Sequence, residues 1–247
     1  MQFFNINFFF INQLKFHFIK SSWIALLSLF FLTCTSNRSQ KPTTELPTTF
    51  VYIQQVIPDV LYDIRYASKH NFIGKSINGY KKSTAMLSAP AADSLKKVQH
   101  YLKTHGYRIK IFDAYRPQSA VNHFIKWAKV PDDTLMKREF YPQIDKRNLF
   151  KLGYIAAKSG HTRGSTVDLT IVDATTGKEV DMGSPFDFFG NISHHGSHEI
   201  SAKQEANRLI LKEAMIRFGF KALPEEWWHY TLIDEPYPTT YFDFDVK

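Results

Sequence analysis

The sequence has one cysteine, Cys34, among 247 residues. With no second cysteine, no disulfide can form within the chain, and its fold must be stabilised by its core. The sequence also lacks internal repeats, low-complexity segments and a concentrated block of lysine and arginine, although its net charge is +8. We therefore expect no nucleic-acid partner, since binding to nucleic acid usually needs clustered positive charge.

No apolar run near the start of the chain is long enough for a membrane-spanning helix. Lys15 and Lys20 precede an apolar run at residues 23–32, about half of the ~20 residues that a spanning helix needs. Positive residues followed by a short apolar run are typical of a secretory signal. We predict a signal peptide at residues 1–33 and export to the periplasm or cell envelope.

Cys34 follows the apolar run directly, in the sequence Phe31-Leu32-Thr33-Cys34. This sequence resembles a lipoprotein cleavage box, in which the cysteine is acylated and becomes the new N-terminus. The alternative is an incidental cysteine in an ordinary signal or an uncleaved anchor. We predict lipidation at Cys34, with a membrane as partner, followed by a flexible tether at residues 34–50 that is rich in polar residues and proline.

Residues 51–247 have the mixed composition of one folded domain. Apolar residues spaced three and four apart predict helices, and runs of β-branched and aromatic residues predict strands. Helices and strands do not alternate regularly, which favours an α+β fold over a doubly wound sheet. We expect a single domain with a small central antiparallel sheet, flanked by helices, and with a metal site at the sheet. The predicted helices are 89–105, 119–129 and 202–218, and the predicted strands are 50–56, 107–112, 166–172 and 227–233.

Two stretches contain residues suited to metal chemistry. In residues 159–168, a turn with glycines separates His161 from Asp168, and residues 225–230 contain His229. Imidazole nitrogen and carboxylate oxygen are good zinc ligands, and three protein ligands with an open position are typical of a catalytic site. Each stretch alone has a commoner explanation, namely a core or surface histidine and a turn carboxylate.

Two further residues suit hydrolysis. Glu226 lies three residues before His229, where it can reach the open side of a metal and transfer a proton. Arg116 lies in Asp113-Ala114-Tyr115-Arg116-Pro117, directly after a predicted strand. A guanidinium cannot bind a metal, but it can bind a carboxylate or an oxyanion. A structural arginine paired with a buried acid is the alternative.

Taken together, the motifs resemble the D-alanyl-D-alanine dipeptidases, zinc peptidases of the same superfamily as the D-Ala-D-Ala carboxypeptidases. The resemblance spans about residues 56–233. Its motifs are Asp63-Ile64-Arg65-Tyr66-Ala67 with Asn71-Phe72-Gly74, the segment 113–117, the segment 159–168, Asp181-Met182-Gly183-Ser184-Pro185-Phe186-Asp187, and Glu226-Trp227-Trp228-His229.

The resemblance implies one zinc ion per chain, a substrate that is D-Ala-D-Ala or a related short dipeptide, and a role for each site residue. Zinc would be bound by His161, Asp168 and His229. Glu226 would act as general acid and base, and Arg116 would stabilise the transition state.

Other residues are expected near the site from their positions. Ser159, two residues before a ligand, and Asp187 are candidate substrate contacts, and Asp187 could pair with the ammonium of the dipeptide. A loop-capping carboxylate is the alternative for Asp187. One of Trp227 and Trp228 is expected to line the pocket. We expect the histidine cluster at positions 194, 195 and 198 to be solvated rather than to form a second zinc site.

Two alternative functions stay open from the sequence. A D,D-carboxypeptidase or endopeptidase would trim the stem peptides of the cell wall. Such an enzyme would more usually have an arginine shortly after the last zinc histidine, where this chain has Tyr230-Thr231-Leu232. A non-catalytic zinc-holding module would bind wall peptide only, and it would need neither Glu226 nor Arg116.

Overall fold

The computed structural model describes residues 47–247. Residues 1–46 lie outside the described residues, and so do the predicted signal peptide, Cys34 and most of the predicted tether. Phe50, the last residue of that tether, is already buried in the first strand. No helix among residues 47–247 is long and apolar enough to cross a membrane.

Seven strands and five helices, together with short 3-10 turns, make up the described part. The strands are β1 (Phe50–Tyr52), β2 (Leu61–Tyr62), β3 (Met86–Ser88), β4 (Tyr107–Asp113), β5 (Thr166–Asp173), β6 (Phe220–Leu223) and β7 (Glu226–Leu232). The helices are α1 (Ile53–Val56), α2 (Ala89–Thr104), α3 (Gln118–Ala128), α4 (Lys137–Phe140) and α5 (Ala202–Arg217). The predicted α+β class is confirmed.

The central sheet has five strands in the order β2-β4-β5-β7-β6, and β1 pairs with β3 in a separate two-stranded sheet. Three of the four pairings in the central sheet are antiparallel, but β2 runs parallel to β4. The predicted antiparallel sheet is therefore mixed, with one parallel pair at its edge. The parallel strand is only two residues long, too short for a periodic sequence pattern to indicate it.

The first predicted strand is also shorter than expected. Its pairing with β3 ends at Tyr52, and residues 53–56 form the one-turn helix α1 instead. Ile53 is fully buried, and its backbone N–H donates to the carbonyl of Ala85. Burial of this side chain is consistent with the apolar pattern of residues 50–56, but only the first three of these residues are extended.

Helix α2 buries the apolar residues that its spacing predicts, among them Leu95, Val98 and Leu102. Helix α5 leaves two of its large apolar residues exposed. Leu209 and Ile216 are 44% and 51% exposed, and Arg208 is buried instead.

The buried guanidinium of Arg208 has backbone acceptors. It donates to the carbonyls of Met182, Ile192 and His194. Helix α5 thus fixes the segment between β5 and α5, which contains the predicted substrate contact Asp187. Apolar periodicity could not predict this contact, because it depends on carbonyl groups of a distant loop.

Candidate active site

The centre of the sheet brings the three predicted metal ligands together. Asp168 on β5 lies directly across from His229 on β7. His161 lies in a 3-10 turn, Gly160–Arg163, that leads toward β5. The ligand atoms of these three residues all lie within 4.8 Å of one another, and no other group of three such residues was found among residues 47–247.

The distances within this cluster fit a single metal ion. Nε2 of His161 lies 3.2 Å from Nδ1 of His229 and 3.2 Å from Oδ2 of Asp168. Nδ1 of His229 lies 3.0 Å from Oδ1 of Asp168. Ligand atoms at the zinc distances of about 2.0–2.1 Å in a tetrahedron lie ~3.3 Å apart. Each pair here is close to that value, with the two histidines approaching different oxygens of Asp168.

Two local features agree with a cation at this point. The Nδ1 of His161 donates to the carbonyl oxygen of Ala114 at 2.7 Å, so Nε2 is the unprotonated nitrogen that faces the cluster. Such an outer hydrogen bond typically orients a histidine that binds metal. Oδ1 of Asp168 is buried and has Nδ1 of His229 3.0 Å away, and a buried carboxylate oxygen of this kind needs a positive partner.

The protonation states follow from burial and from the neighbouring charges. Burial lowers the pKa of His161, which favours the neutral ring that binds metal. Burial alone would raise the pKa of Asp168, but His161 and His229 outweigh it and hold that pKa below its usual range. Burial opposes the charge on His229, yet the hydrogen bond and charge of Asp168 raise its pKa.

Glu226 lies beside the cluster, with Oε2 3.4 Å from Nδ1 of His229. In a regular strand, residues three apart point to opposite faces. The pairing of β6 with β7 is irregular between Ala222 and Leu223, where Leu223 pairs with Glu226 after Ala222 has paired with Tyr230. This irregularity lets Glu226 and His229 face the same side. Burial raises the pKa of the Glu226 carboxyl.

Arg116 extends into the site from the segment after β4. Its Nε donates to Oδ2 of Asp113 at 2.9 Å, and its Nη2 lies 3.5 Å from Oδ2 of Asp168. Asp113 is itself buried and accepts a hydrogen bond from Tyr80 at 2.6 Å. The guanidinium is therefore oriented by a buried acid and still lines the cleft.

The C-terminal segment connects the two loops that bear these residues. The N–H of Phe242 donates to the carbonyl of Thr162, and the carbonyl of Phe242 accepts from the N–H of Gln118. The hydroxyl of Tyr115 bonds both the N–H and the carbonyl of Phe244. Thus His161 and Arg116 are held by one shared set of backbone hydrogen bonds.

The three candidate metal ligands, Glu226 and Arg116 all line one cleft of about 240 Å³. Pockets for drug-sized ligands measure ~300–1,000 Å³, so this cleft suits a smaller molecule. Aromatic side chains form one wall. The lining residues include Tyr66, Phe72, Arg116, Phe124, Lys158, Ser159, His161, Asp168, Asp187, Glu226 and His229.

The two predicted substrate contacts both line this cleft. The Ser159 hydroxyl accepts a hydrogen bond from the N–H of His161 at 3.3 Å. Asp187 has a positive φ of 61° and is 7% exposed. Its Oδ2 accepts from the hydroxyl of Tyr66 at 2.9 Å, and burial followed by the charge of Asp168 raises its pKa well above the usual value.

Comparison with known proteins identifies the family. A family profile described as D-ala-D-ala dipeptidase, of the M15 peptidases, matches residues 47–247. The chain belongs to this family of metallopeptidases.

Relatives of the peptidase are named D-alanyl-D-alanine dipeptidase. The relative from Enterococcus faecium is 43% identical over 198 residues, which cover 80% of this chain and 98% of that protein. The relative from Streptomyces coelicolor is 38% identical over 197 residues, with the same two coverages. The relative from Escherichia coli is 31% identical over 190 residues, which cover 77% of this chain and 86% of that protein.

Some features of the peptidase's site differ from prediction or were missed. Trp227 and Trp228 are both 2% exposed, and neither is among the residues lining the cleft. The expectation that one of them lines it was wrong. Tyr66 and Asp113 belong to the quoted motifs, but no role was predicted for them. Tyr80, which holds Asp113, had no sequence signal.

Proposed function

We propose that this chain hydrolyses the peptide bond of D-alanyl-D-alanine, or of a closely related short dipeptide, with one zinc ion bound by His161, Asp168 and His229. The observation that supports this most directly is the buried cluster of two imidazoles and a carboxylate, with Glu226 and Arg116 on the same cleft. The names of the relatives support the choice of substrate.

Glu226 would transfer the proton during this hydrolysis. Zinc, when bound, supplies a Lewis acid that lowers the pKa of water to about 7. Glu226 takes a proton from the attacking water, whose oxygen bonds to the peptide carbonyl carbon. The carbon–nitrogen bond then breaks, and Glu226 returns the proton to the leaving amine nitrogen. Its raised pKa suits both roles, although a nearby cation would counteract this shift.

Arg116 would stabilise the negative charge that develops on the carbonyl oxygen. Its orientation by Asp113 means that little reorganisation is needed during the reaction. Asp187, with the hydroxyl of Tyr66 beside it, would accept the ammonium of the dipeptide. Ser159 lines the same cleft and would contact the substrate near the metal.

A panel of peptides tests this function. The purified protein is incubated with D,D-, L,D- and L,L-dipeptides and with tri- and pentapeptides that end in D-Ala-D-Ala, and freed amino acids are separated by chromatography. We expect release from the D,D-dipeptide and little from the longer peptides. Release from the pentapeptide alone would instead establish the carboxypeptidase alternative.

We also propose export and a lipid anchor at Cys34. The basic and apolar residues before Cys34 support this, as does the start of the family match at residue 47, after the predicted signal and most of the tether. Cell fractionation tests it. Wild-type protein should be found with membranes and carry acyl chains by mass spectrometry, and Cys34→Ala should lose the acyl chains. An unmodified cysteine would refute the anchor.

A further inference from the structure

Two permanent cations line the cleft, and only one of them is engaged. Arg116 has Asp113 and Asp168 as carboxylate neighbours. Lys158, three residues before His161, is exposed and has no carboxylate within 4 Å among residues 47–247. Its ammonium instead lies 5.0 Å from the ring centroid of Tyr241. Lys158 therefore lines the cleft and carries an ammonium that no carboxylate of residues 47–247 neutralises.

Acidic side chains line the same cleft. Asp187 and Glu226 are both lining residues, and the side chain of Asp187 has a single hydrogen-bond partner in the described part, the Tyr66 hydroxyl. A free dipeptide is a zwitterion with an ammonium at one end and a carboxylate at the other. If Asp187 accepts the ammonium, the carboxylate needs a cation, and Arg116 is already engaged by two aspartates.

We propose that Lys158 binds the C-terminal carboxylate of the substrate and thereby selects peptides that end one residue beyond the cleaved bond. This inference rests on the proposed hydrolysis. An ammonium on a flexible stem is a compact point charge that can follow a carboxylate in different rotamers. The Tyr241 ring provides a face over which this cation can rest when no substrate is bound.

This assignment has consequences for the choice of substrate and for the kinetics. An endopeptidase substrate continues past this position as an amide and offers no charge to Lys158, so the assignment disfavours that alternative. The carboxylate is present in both the ground state and the transition state, and it does not react. Loss of Lys158 should therefore raise KM more than it lowers kcat.

The experiment compares two substrates on four proteins. D-Ala-D-Ala and its C-terminal amide are assayed with wild type, Lys158→Met, Lys158→Arg and Lys151→Met. Lys151 is an exposed lysine of the same segment that does not line the cleft, so its variant is the matched control. Thermal melting and zinc content of each protein show that the variants are folded and loaded.

We expect wild type and Lys151→Met to prefer the free acid over the amide. In Lys158→Met, the ratio of kcat/KM for acid to amide should fall about tenfold, equivalent to about 1.4 kcal/mol. Lys158→Arg should restore most of the ratio, since it keeps the positive charge.

Two outcomes would overturn the inference, and they differ in whether the proposed function also fails. If wild type hydrolyses D-Ala-D-Ala but Lys158→Met keeps the same acid-to-amide ratio, Lys158 does not bind the carboxylate, and the proposed function stands. If wild type hydrolyses neither substrate, the proposed function itself fails and the inference fails with it.

Discussion

Asp168 and His229 are direct partners across two antiparallel strands, and Oδ1 of Asp168 lies 3.0 Å from Nδ1 of His229. The sheet therefore fixes two of the three candidate metal ligands. His161 joins them from a turn whose orientation depends on the carbonyl of Ala114. Because the ligands come from separate parts of the chain, metal binding and folding should be coupled.

The first prediction follows from this coupling. The purified protein should bind about one zinc ion per chain, and a chelator should lower its melting temperature as well as abolish activity. His161→Ala should lose zinc, as measured by atomic emission, whereas His100→Ala on the exposed side of α2 should keep it. A fully loaded His161→Ala protein would contradict the assignment.

Glu226→Gln should keep zinc and the fold but lose turnover. The amide cannot accept the proton, and general acid–base catalysis contributes ~10²–10⁴-fold. The measurement is kcat together with zinc content. Glu225→Gln, one residue earlier and exposed in the turn before β7, is the control and should retain activity. The proton-transfer role of Glu226 would be untenable if its glutamine variant worked at the wild-type rate.

Arg116→Ala should lower kcat/KM. The activation barrier should rise by about 2.7–4 kcal/mol, the usual effect of removing one donor to an oxyanion. Asp113→Asn should have a smaller effect of the same kind, because it weakens the contact that orients the guanidinium. Steady-state kinetics of both variants measure this order. A larger loss in Asp113→Asn than in Arg116→Ala would show that Asp113 acts through another group.

Gly164 ends the turn that contains His161, with a φ of 83°, and a Cβ there would clash with the ring of Phe50. Gly177 has a φ of 70° but open space around it. Gly164→Ala should therefore destabilise the protein by ~1–3 kcal/mol more than Gly177→Ala, the usual cost of overpacking. Urea unfolding of both variants gives the difference, and equal values would argue against the clash.

His195 should contribute to the pH dependence of the unfolding free energy of the metal-free protein. Burial lowers the pKa of this imidazole from 6.5 to about 4. Between these two values the unfolded chain binds more protons than the folded one, so stability falls as the pH falls through this range. His195→Gln should lack this component. Unfolding free energies of both proteins from pH 7 to pH 4 test it, and parallel curves would refute it.

The sequence predicted the site residues whose side chains suit only a few kinds of chemistry, such as metal binding and proton transfer. His161, Asp168, His229, Glu226 and Arg116 were all predicted, and the structure brings them to one cleft. Tyr80 could not be predicted, because it contacts Asp113 across 33 positions and any tyrosine can serve in a core. The buried position of Arg208 was missed because its acceptors are carbonyl groups of a distant loop.

The irregular pairing before Tyr230 has a consequence for the two-residue hairpin connection, Pro224 and Glu225. The side chain of Glu225 is exposed, so its chemistry can vary freely. The number of residues from Glu226 to His229 cannot, because inserting or deleting one there would turn the Glu226 carboxylate away from His229 and its neighbours. Among homologous enzymes, Glu225 should thus vary in type, whereas the spacing from Glu226 to His229 should stay constant.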